Sequence, residues 1–346
     1  MMKEKISNLQ LLLNEQEIDT LLIGNFGHQI KDDLLYYLLL THLELGIMFI
    51  PKEGRSTLYA IPFEVAQLQE QYPEIHVQPL DKKLNELLEN YPGSIGCRPV
   101  ALPATQYQTS FVPLTGEEYV IAVKLQEEIA QLREAASITD RIFSELLHAW
   151  PTFHTETDVE SFIQKQCITH AVVPSFPPII ASGKNAANPH HHPTGDVLQQ
   201  GFCVIDMGVR YKGYCSDMTR TIYIGSPTND EQKIYDQILS AQEKTIQQIS
   251  NQKNTSSLSE FCRAALGEKF NPYFTHSLGH GIGTQVHEWP SVSTKSDVIL
   301  QPGMIITIEP GVYIPDKWGI RIEDDVLVTE HGYETLTQSP KKLLPI

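Results

Sequence analysis

The sequence predicts two domains of different class: an α/β domain over residues 1–117, then an α+β domain over 118–346 in which a helix, helix, hairpin unit occurs twice. Three observations carry this. The chain has 346 residues, a length that suits about two domains, each able to bury its own core. Up to residue 117, short apolar runs of β type alternate with helical patterns, which is the signature of an α/β layer. Beyond it, helical stretches lead twice into strand-like runs that carry a pair of acids: "CVIDMGVRYKGYCSDMTRT" with Asp206 and Asp217, and "MIITIEPGVYIPDKWGIRIEDDVLVT" with Glu309 and Glu323.

The elements follow in order. "MMKEKISNLQLLLNEQEID" is an amphipathic helix without a signal-peptide core. "TLLIG", "GIMFIP", "STLYAIP" and "SIGCRPVALP" read as strands and "DKKLNELLENY" as a helix. No cluster of acids and histidines marks a site in this half. Residues 117–150 read as one long helix, with Ile129, Leu132, Ala136, Phe143 and Leu147 on its apolar face. A second helix follows Thr155, which forms a capping box with Asp158. After the first acidic strands come a helix at "DEQKIYDQILSAQEKTIQQIS" and another in "SLSEFCRAALGEKF", capped by Ser257 with Glu260, and then the second acidic strands.

Composition narrows the function. The formal charge of −16 disfavours nucleic acid or an anionic membrane as partner, but would not repel a small peptide. The most apolar run, "LLYYLLLTHLELGIMFI", carries His42 and Glu44, so no membrane span is expected. Five scattered cysteines without a CxxC pair suggest neither a disulfide framework nor a thiolate zinc site, and fit a reducing cytoplasm. Cys203 and Cys215, close to the first acidic pair, read as small packing residues.

Gly213 sits where a hairpin would turn, and opposed residues in a hairpin share a constant index sum. Centred on the Tyr211–Lys212 bond, Asp206 and Asp217 would face each other with Cβ atoms about 5 Å apart. Like charges so placed destabilise a sheet. Either water screens the pair at a surface, or a cation sits between them. Glu309 and Glu323 are symmetric about Asp316 in the same way, so if the halves pack as pseudo-symmetric partners, four carboxylates converge. Each raises the pKa of its neighbours, and two divalent cations would neutralise them. "THSLGHGIGTQVHEWP" offers His276, His280 and His287 as the nitrogen ligand. Oxygen-rich ligation with one imidazole and no thiolate suits Mn²⁺, Co²⁺ or Zn²⁺.

At these residues the chain resembles a known family. "VIDMGVRYKGYCSDMTRT", "HSLGHGIGTQVHE", "IEPGVY" and "GIRIEDDVLVT" are similar to the signature segments of the pita-bread metallopeptidases, which include methionine aminopeptidase, aminopeptidase P and prolidase. The N-terminal half resembles the creatinase-like domain of aminopeptidase P and prolidase. The resemblance implies that Asp206 chelates one metal, that Asp217 and Glu323 bridge both, and that His280 and Glu309 complete the second, with Mn²⁺ as the expected ion. It implies hydrolysis of the bond between an N-terminal residue and proline, in a homodimer, and leaves both the dipeptide and longer peptides open as substrates. A methionine aminopeptidase and a non-catalytic pita-bread binding module are the alternatives.

Further residues come with that resemblance. His287 is similar to the family histidine that hydrogen-bonds the substrate carbonyl and the tetrahedral intermediate, and Glu309 would also move the proton of the nucleophile. His276 reads either as a lining residue near the proline or as a core histidine. In "ASGKNAANPHHHPTG" the spacing from Ser182 selects His190 as the active-site histidine, whereas the spacing back from Asp206 keeps His191 as a rival. Arg321 lies two residues before Glu323, so strand alternation aims both at one face, where its guanidinium could orient carboxylates.

Overall fold

The computed structural model describes residues 1–26, 32–98 and 111–346. The chain divides into two compact units, Met1–Ile121 and Ala122–Ile346. Among the described residues no helix is long and apolar enough to cross a membrane. All five cysteines are buried and unpaired.

The N-terminal part runs α1 (Met2–Glu15), β1 (Thr20–Phe26), α2 (Asp33–Leu39), β2 (Leu45–Pro51), β3 (Thr57–Ala60), α3 (Val65–Gln71), β4 (His76–Pro79), α4 (Leu84–Leu88), β5 (Ile95–Cys97), β6 (Phe111–Pro113) and α5 (Glu117–Ala122). Its strands form one mixed sheet in the order β4-β3-β2-β1-β5-β6. The apolar runs are continuous because both faces are buried. Leu21, Ile23, Met48 and Ile50 pack with Leu9 and Leu34 on one side, and Leu22, Ile47 and Phe49 pack with Leu87 on the other. Residues 99–103 of the fourth expected strand lie outside the described residues.

The C-terminal unit contains α6 (Gln126–Ala149), α7 (Glu156–Thr169), β7 (Val173–Pro174), β8 (Ile179–Ser182), β9 (Gly201–Met207), β10 (Val209–Tyr211), β11 (Tyr214–Cys215) and β12 (Met218–Ile224). The same order of two helices and then strands recurs with α8 (Asn229–Ile246), α9 (Thr255–Phe270), β13 (Gly279–Gly281), β14 (Glu288–Val292), β15 (Ile305–Ile308), β16 (Gly311–Ile314), β17 (Trp318–Arg321), β18 (Asp324–Thr329) and β19 (Gly332–Thr335). The expected pattern, an α/β domain followed by an α+β domain with a repeated unit, is what the chain folds into. The principal sheets of this unit are β12-β9-β8 and β14-β13-β15-β18-β19.

Three local expectations are corrected. The helix expected over 117–150 is interrupted, because Val123 makes an antiparallel bridge to Met304 and the Lys124 N–H donates to the Gly303 carbonyl at 2.9 Å. The α9 helix starts earlier than Ser257: Asn254 caps it by accepting from the Ser256 N–H, and Ser257 Oγ donates back to the Asn254 carbonyl. The Thr155–Asp158 capping box on α7 is present as expected.

The third correction concerns register. Lys212 and Gly213 both have positive φ, 46° and 90°, which is the signature of a two-residue type I′ turn. Tyr211 therefore pairs with Tyr214, and Asp206 pairs with Thr219 rather than facing Asp217. Asp217 stands two residues from that partner, on the same face by parity. In the second hairpin the inferred register holds, since Gly311 pairs with Arg321 and Ile308 with Asp324 about the same centre.

Candidate metal centre

The site is assembled from strand ends of the C-terminal unit. Asp206 lies near the end of β9 and Asp217 immediately before β12; Glu309 follows β15, Glu323 precedes β18, and His280 is central in β13. The β13 backbone comes so close to β15 that a Cβ on Gly279 would lie 1.9 Å from the Thr307 carbonyl oxygen. Only glycine permits this approach. It leaves the His280 N–H on Thr307 Oγ1 at 3.1 Å, with the Thr307 hydroxyl 3.4 Å from Glu309 Oε1.

One cavity of about 510 Å³ is lined by His190, Asp206, Asp217, His276, His280, His287, Glu309, Arg321 and Glu323, so the structure brings every candidate residue named from the sequence except the rival His191 to one place. Phe176, Ile179 and Val286 supply apolar wall. His191 is not among the lining residues; its Nε2 lies 2.7 Å from Glu156 Oε2.

Distances within the cluster are short. Single donor atoms of Asp217, His280 and Glu323 lie within 4.8 Å of one another. His280 Nε2 is 3.4 Å from Glu309 Oε1 and 3.8 Å from Asp217 Oδ2. The His280 Nδ1–H donates to the Gly281 carbonyl at 3.1 Å, which leaves Nε2 as the lone-pair nitrogen facing the carboxylates. The His280 and His287 rings stand edge to face with centroids 4.4 Å apart. The donor set fits divalent cations: hard carboxylate oxygens, one imidazole and no thiolate. The hydrogen bonding fits as well, because Asp206 Oδ1 and Asp217 Oδ1 are buried without a hydrogen-bond partner among the described residues, and buried anionic oxygens are otherwise paired.

Burial, reinforced by Glu323 and Asp206, pushes the Asp217 carboxyl well above the ordinary carboxylate range. Burial and then Glu323 do the same to Glu309, while burial and Asp206 push Glu323 up to about 8. His280 is lowered to about 4, by burial first and the His287 ring second. A neutral imidazole is the form that ligates.

Arg321 is the cation the chain itself supplies. Its Nη2 donates to Asp206 Oδ2 at 2.6 Å, Nη1 to the Tyr313 hydroxyl at 2.8 Å, and Nε to Thr219 Oγ1 at 3.0 Å. Tyr313 in turn donates to His276 Nε2 at 3.0 Å, and His276 Nδ1–H donates to the Ser277 carbonyl at 2.7 Å. Burial, followed by the nearby Arg321 charge, lowers His276 to about 4, so the ring is a neutral hydrogen-bonding part of the wall. Three contributors are not anticipated by the sequence reading. Tyr313 and Thr219 carry the Arg321 network, and Asp325 accepts from the Asp217 N–H at 3.0 Å. Face parity could have found Tyr313, two residues from Gly311, the strand partner of Arg321, and likewise Asp325, two residues after Glu323.

Residues 130–330 match the family described as metallopeptidase family M24. An Xaa-Pro dipeptidase of Pyrococcus furiosus is 32% identical over 99% of this chain and 100% of its own length. The solved structure of an Xaa-Pro dipeptidase from Bacillus anthracis superposes with a TM-score of 0.91 at 31% identity, covering 100% of both chains. That of an X-Pro aminopeptidase from Thermotoga maritima superposes with a TM-score of 0.85 at 27% identity, covering 96% of this chain and 99% of the other. With the carboxylate and histidine cavity built on the matched region, the chain belongs to metallopeptidase family M24.

Proposed function

We propose that the protein is a metallo-exopeptidase that hydrolyses the bond between an N-terminal residue and proline, with Xaa-Pro dipeptides as its substrates. The single observation that carries this reading is the convergence of four carboxylates and four histidines on one cavity, in a chain similar over its whole length to Xaa-Pro dipeptidases. Membership of a metallopeptidase family implies divalent cations. In this reading Asp206, Asp217, His280, Glu309 and Glu323 hold two of them, with Mn²⁺ the best match to the donors and Co²⁺ or Zn²⁺ the alternatives.

Bound there, the cations supply a water of lowered pKa and a polarised scissile carbonyl. The chain's own groups do the rest. Glu309 takes the proton from the attacking water as the new C–O bond forms. His287, beside His280, hydrogen-bonds the oxygen on which charge develops. His190 stands by the leaving nitrogen of proline, which must gain a proton as the C–N bond breaks. Arg321 orients Asp206, and the neutral His276 lines the wall on the Tyr313 side. An Xaa-Pro bond has no N–H, so a site built around a contact to that N–H loses it, whereas a wall shaped for the pyrrolidine ring does not.

The test reconstitutes metal-stripped protein with Mn²⁺, mixes Ala-Pro with Ala-Pro-Ala-Ala, and follows both by mass spectrometry. Loss of the dipeptide alone is expected. Release of alanine from the tetrapeptide would instead make the protein an Xaa-Pro aminopeptidase, the activity named for the similar Thermotoga maritima structure. If neither peptide is cut with Mn²⁺, Co²⁺ or Zn²⁺, the Xaa-Pro reading is wrong.

A further inference from the structure

We propose that Glu156 is a positioning residue for His190: its buried carboxylate pins the histidine-bearing loop on both sides of that residue, and thereby fixes an imidazole that the reaction uses. The inference rests on the reading of His190 given under Proposed function.

Glu156 is the first residue of α7 and has no solvent exposure. A carboxylate out of water must be compensated, and here polar donors surround both of its oxygens. Oε1 accepts from the Ser182 N–H at 2.8 Å, Ser182 Oγ at 3.0 Å and Asn185 Nδ2 at 3.0 Å. Oε2 accepts from His191 Nε2 at 2.7 Å, the Thr194 N–H at 3.1 Å and Thr194 Oγ1 at 3.3 Å. The helix N-terminus favours the anion further. These donors hold the carboxyl below the ordinary carboxylate range although burial pushes the other way.

The placement of the donors along the chain is what matters. One group, Ser182 and Asn185, precedes His190; the other, His191 and Thr194, follows it. A single side chain therefore ties down both flanks of the loop while His190 itself, exposed at the cavity, is free of the clamp. The strand that carries Arg321 also seats the loop. A Cβ on Gly319 would lie 1.8 Å from the Ala186 carbonyl oxygen, and Arg321 Nη1 donates to the Pro189 carbonyl at 3.3 Å. Glu156 is not among the cavity-lining residues, so any effect on catalysis must be relayed. The clamp also accounts for the adjacent histidines having different surroundings, since His191 is spent on Glu156 and His190 is not.

The test is a double-mutant cycle on metal-loaded enzyme. In Glu156→Gln an amide NH₂ would meet three donors, so half of the clamp opens. We expect kcat for Ala-Pro to fall by about 10²-fold, the scale of a 1 Å misplacement, with metal stoichiometry unchanged. In a His190→Ala background the same substitution should cost nothing further, because the two residues act as one unit. Losses that multiply would overturn the positioning role, as would a Glu156→Gln enzyme with unchanged kcat per bound metal. If His190→Ala alone keeps full kcat, the assigned role of His190 is what fails, and this inference falls with it. If Glu156→Gln does not fold, His191→Ala leaves the carboxylate in place and removes one donor. Its smaller loss, about 10-fold on the same scale, must also vanish without His190, and a loss that persists there refutes the proposal.

Discussion

Glu323, Asp324 and Asp325 are consecutive and buried, yet the middle carboxyl is shifted one way and its two neighbours the other. Asp324 accepts from Arg220 Nη2 at 2.7 Å, Lys341 Nζ at 2.9 Å, Gln242 Nε2 at 2.8 Å and Thr337 Oγ1 at 2.8 Å. Burial raises its pKa, but Arg220 and Lys341 outweigh that, and the carboxyl stays below the ordinary range. Burial, with neighbouring acids added, pushes Glu323 up to about 8 and Asp325 well above the usual range. Strand alternation separates the two faces. One holds an acid neutralised by the chain's own cations, and the other presents acids for which the nearby cation, Arg321, is not enough to offset burial. The first is structural and the second is the proposed metal centre.

The comparison breaks most completely at Asp217 or Glu323. Replacing either by alanine should abolish peptide hydrolysis and metal content together, read by elemental analysis beside the Ala-Pro assay. A variant with full activity would remove the two-metal reading. Asp324→Asn should do the reverse. It leaves Arg220 and Lys341 without their anion at a cost of about 3–5 kcal/mol, seen as a lower urea midpoint, while metal bound per folded molecule is retained. Loss of metal at constant stability would erase the distinction between the faces.

How much of this was legible in the sequence follows from what each feature depends on. The ten candidate ligand and supporting positions, with His191 among them as the rival, could be named because acids, histidines and arginine carry their chemistry in their identity. The second hairpin's register could be counted from Glu309 and Glu323, since the ladder keeps one centre throughout. The first could not, because the turn formed at Lys212–Gly213, one residue beyond the assumed centre, and Thr219 rather than Asp217 became the partner of Asp206. The break after α5 was invisible, as helical propensity persists across Val123 and only the isolated bridge to the distant Met304 interrupts it. Glu156 was missed for the same reason, since its partners lie 26 to 38 residues away in sequence, whereas Tyr313, eight residues from Arg321, was within reach of face parity.

The pH dependence sharpens the comparison at intermediate size. The Glu323 carboxyl sits at about 8 in the folded chain, above its ordinary value of 4.5, so between those values the folded state binds more protons than the unfolded state. The Glu323 contribution to the stability of the metal-stripped protein is thus fully present at low pH and is lost as pH rises from about 4.5 to about 8, by about 1.4 kcal/mol per pH unit. His276 and His280, lowered from 6.5 to about 4, oppose it only below about 6.5. Cations displace those protons, so metal-loaded protein should lose the decline. Urea midpoints at four pH values, with and without metal, check both limbs. A flat profile for the stripped protein would mean that the acids are compensated by some other route.

The smallest effect is expected where the chain's own cation and the metal-facing acids meet. Thr219 is fully buried; its hydroxyl donates to Glu323 Oε2 at 2.6 Å and accepts from Arg321 Nε at 3.0 Å. Thr219→Val keeps the shape, so the fold should lose only about 1 kcal/mol for the hydrogen bonds. Yet the carboxylate then has to find its orientation unaided, and removing such a partner of a ligand typically weakens metal binding by about 10–100-fold. At saturating Mn²⁺ the kcat should return to that of the parent protein, because no group that handles substrate has changed. A metal titration with activity as one readout and melting temperature as the other separates the two consequences. An unaltered metal affinity would place Thr219 with Asp324 on the structural side, and would show that Arg321 alone is enough to set the ligand geometry.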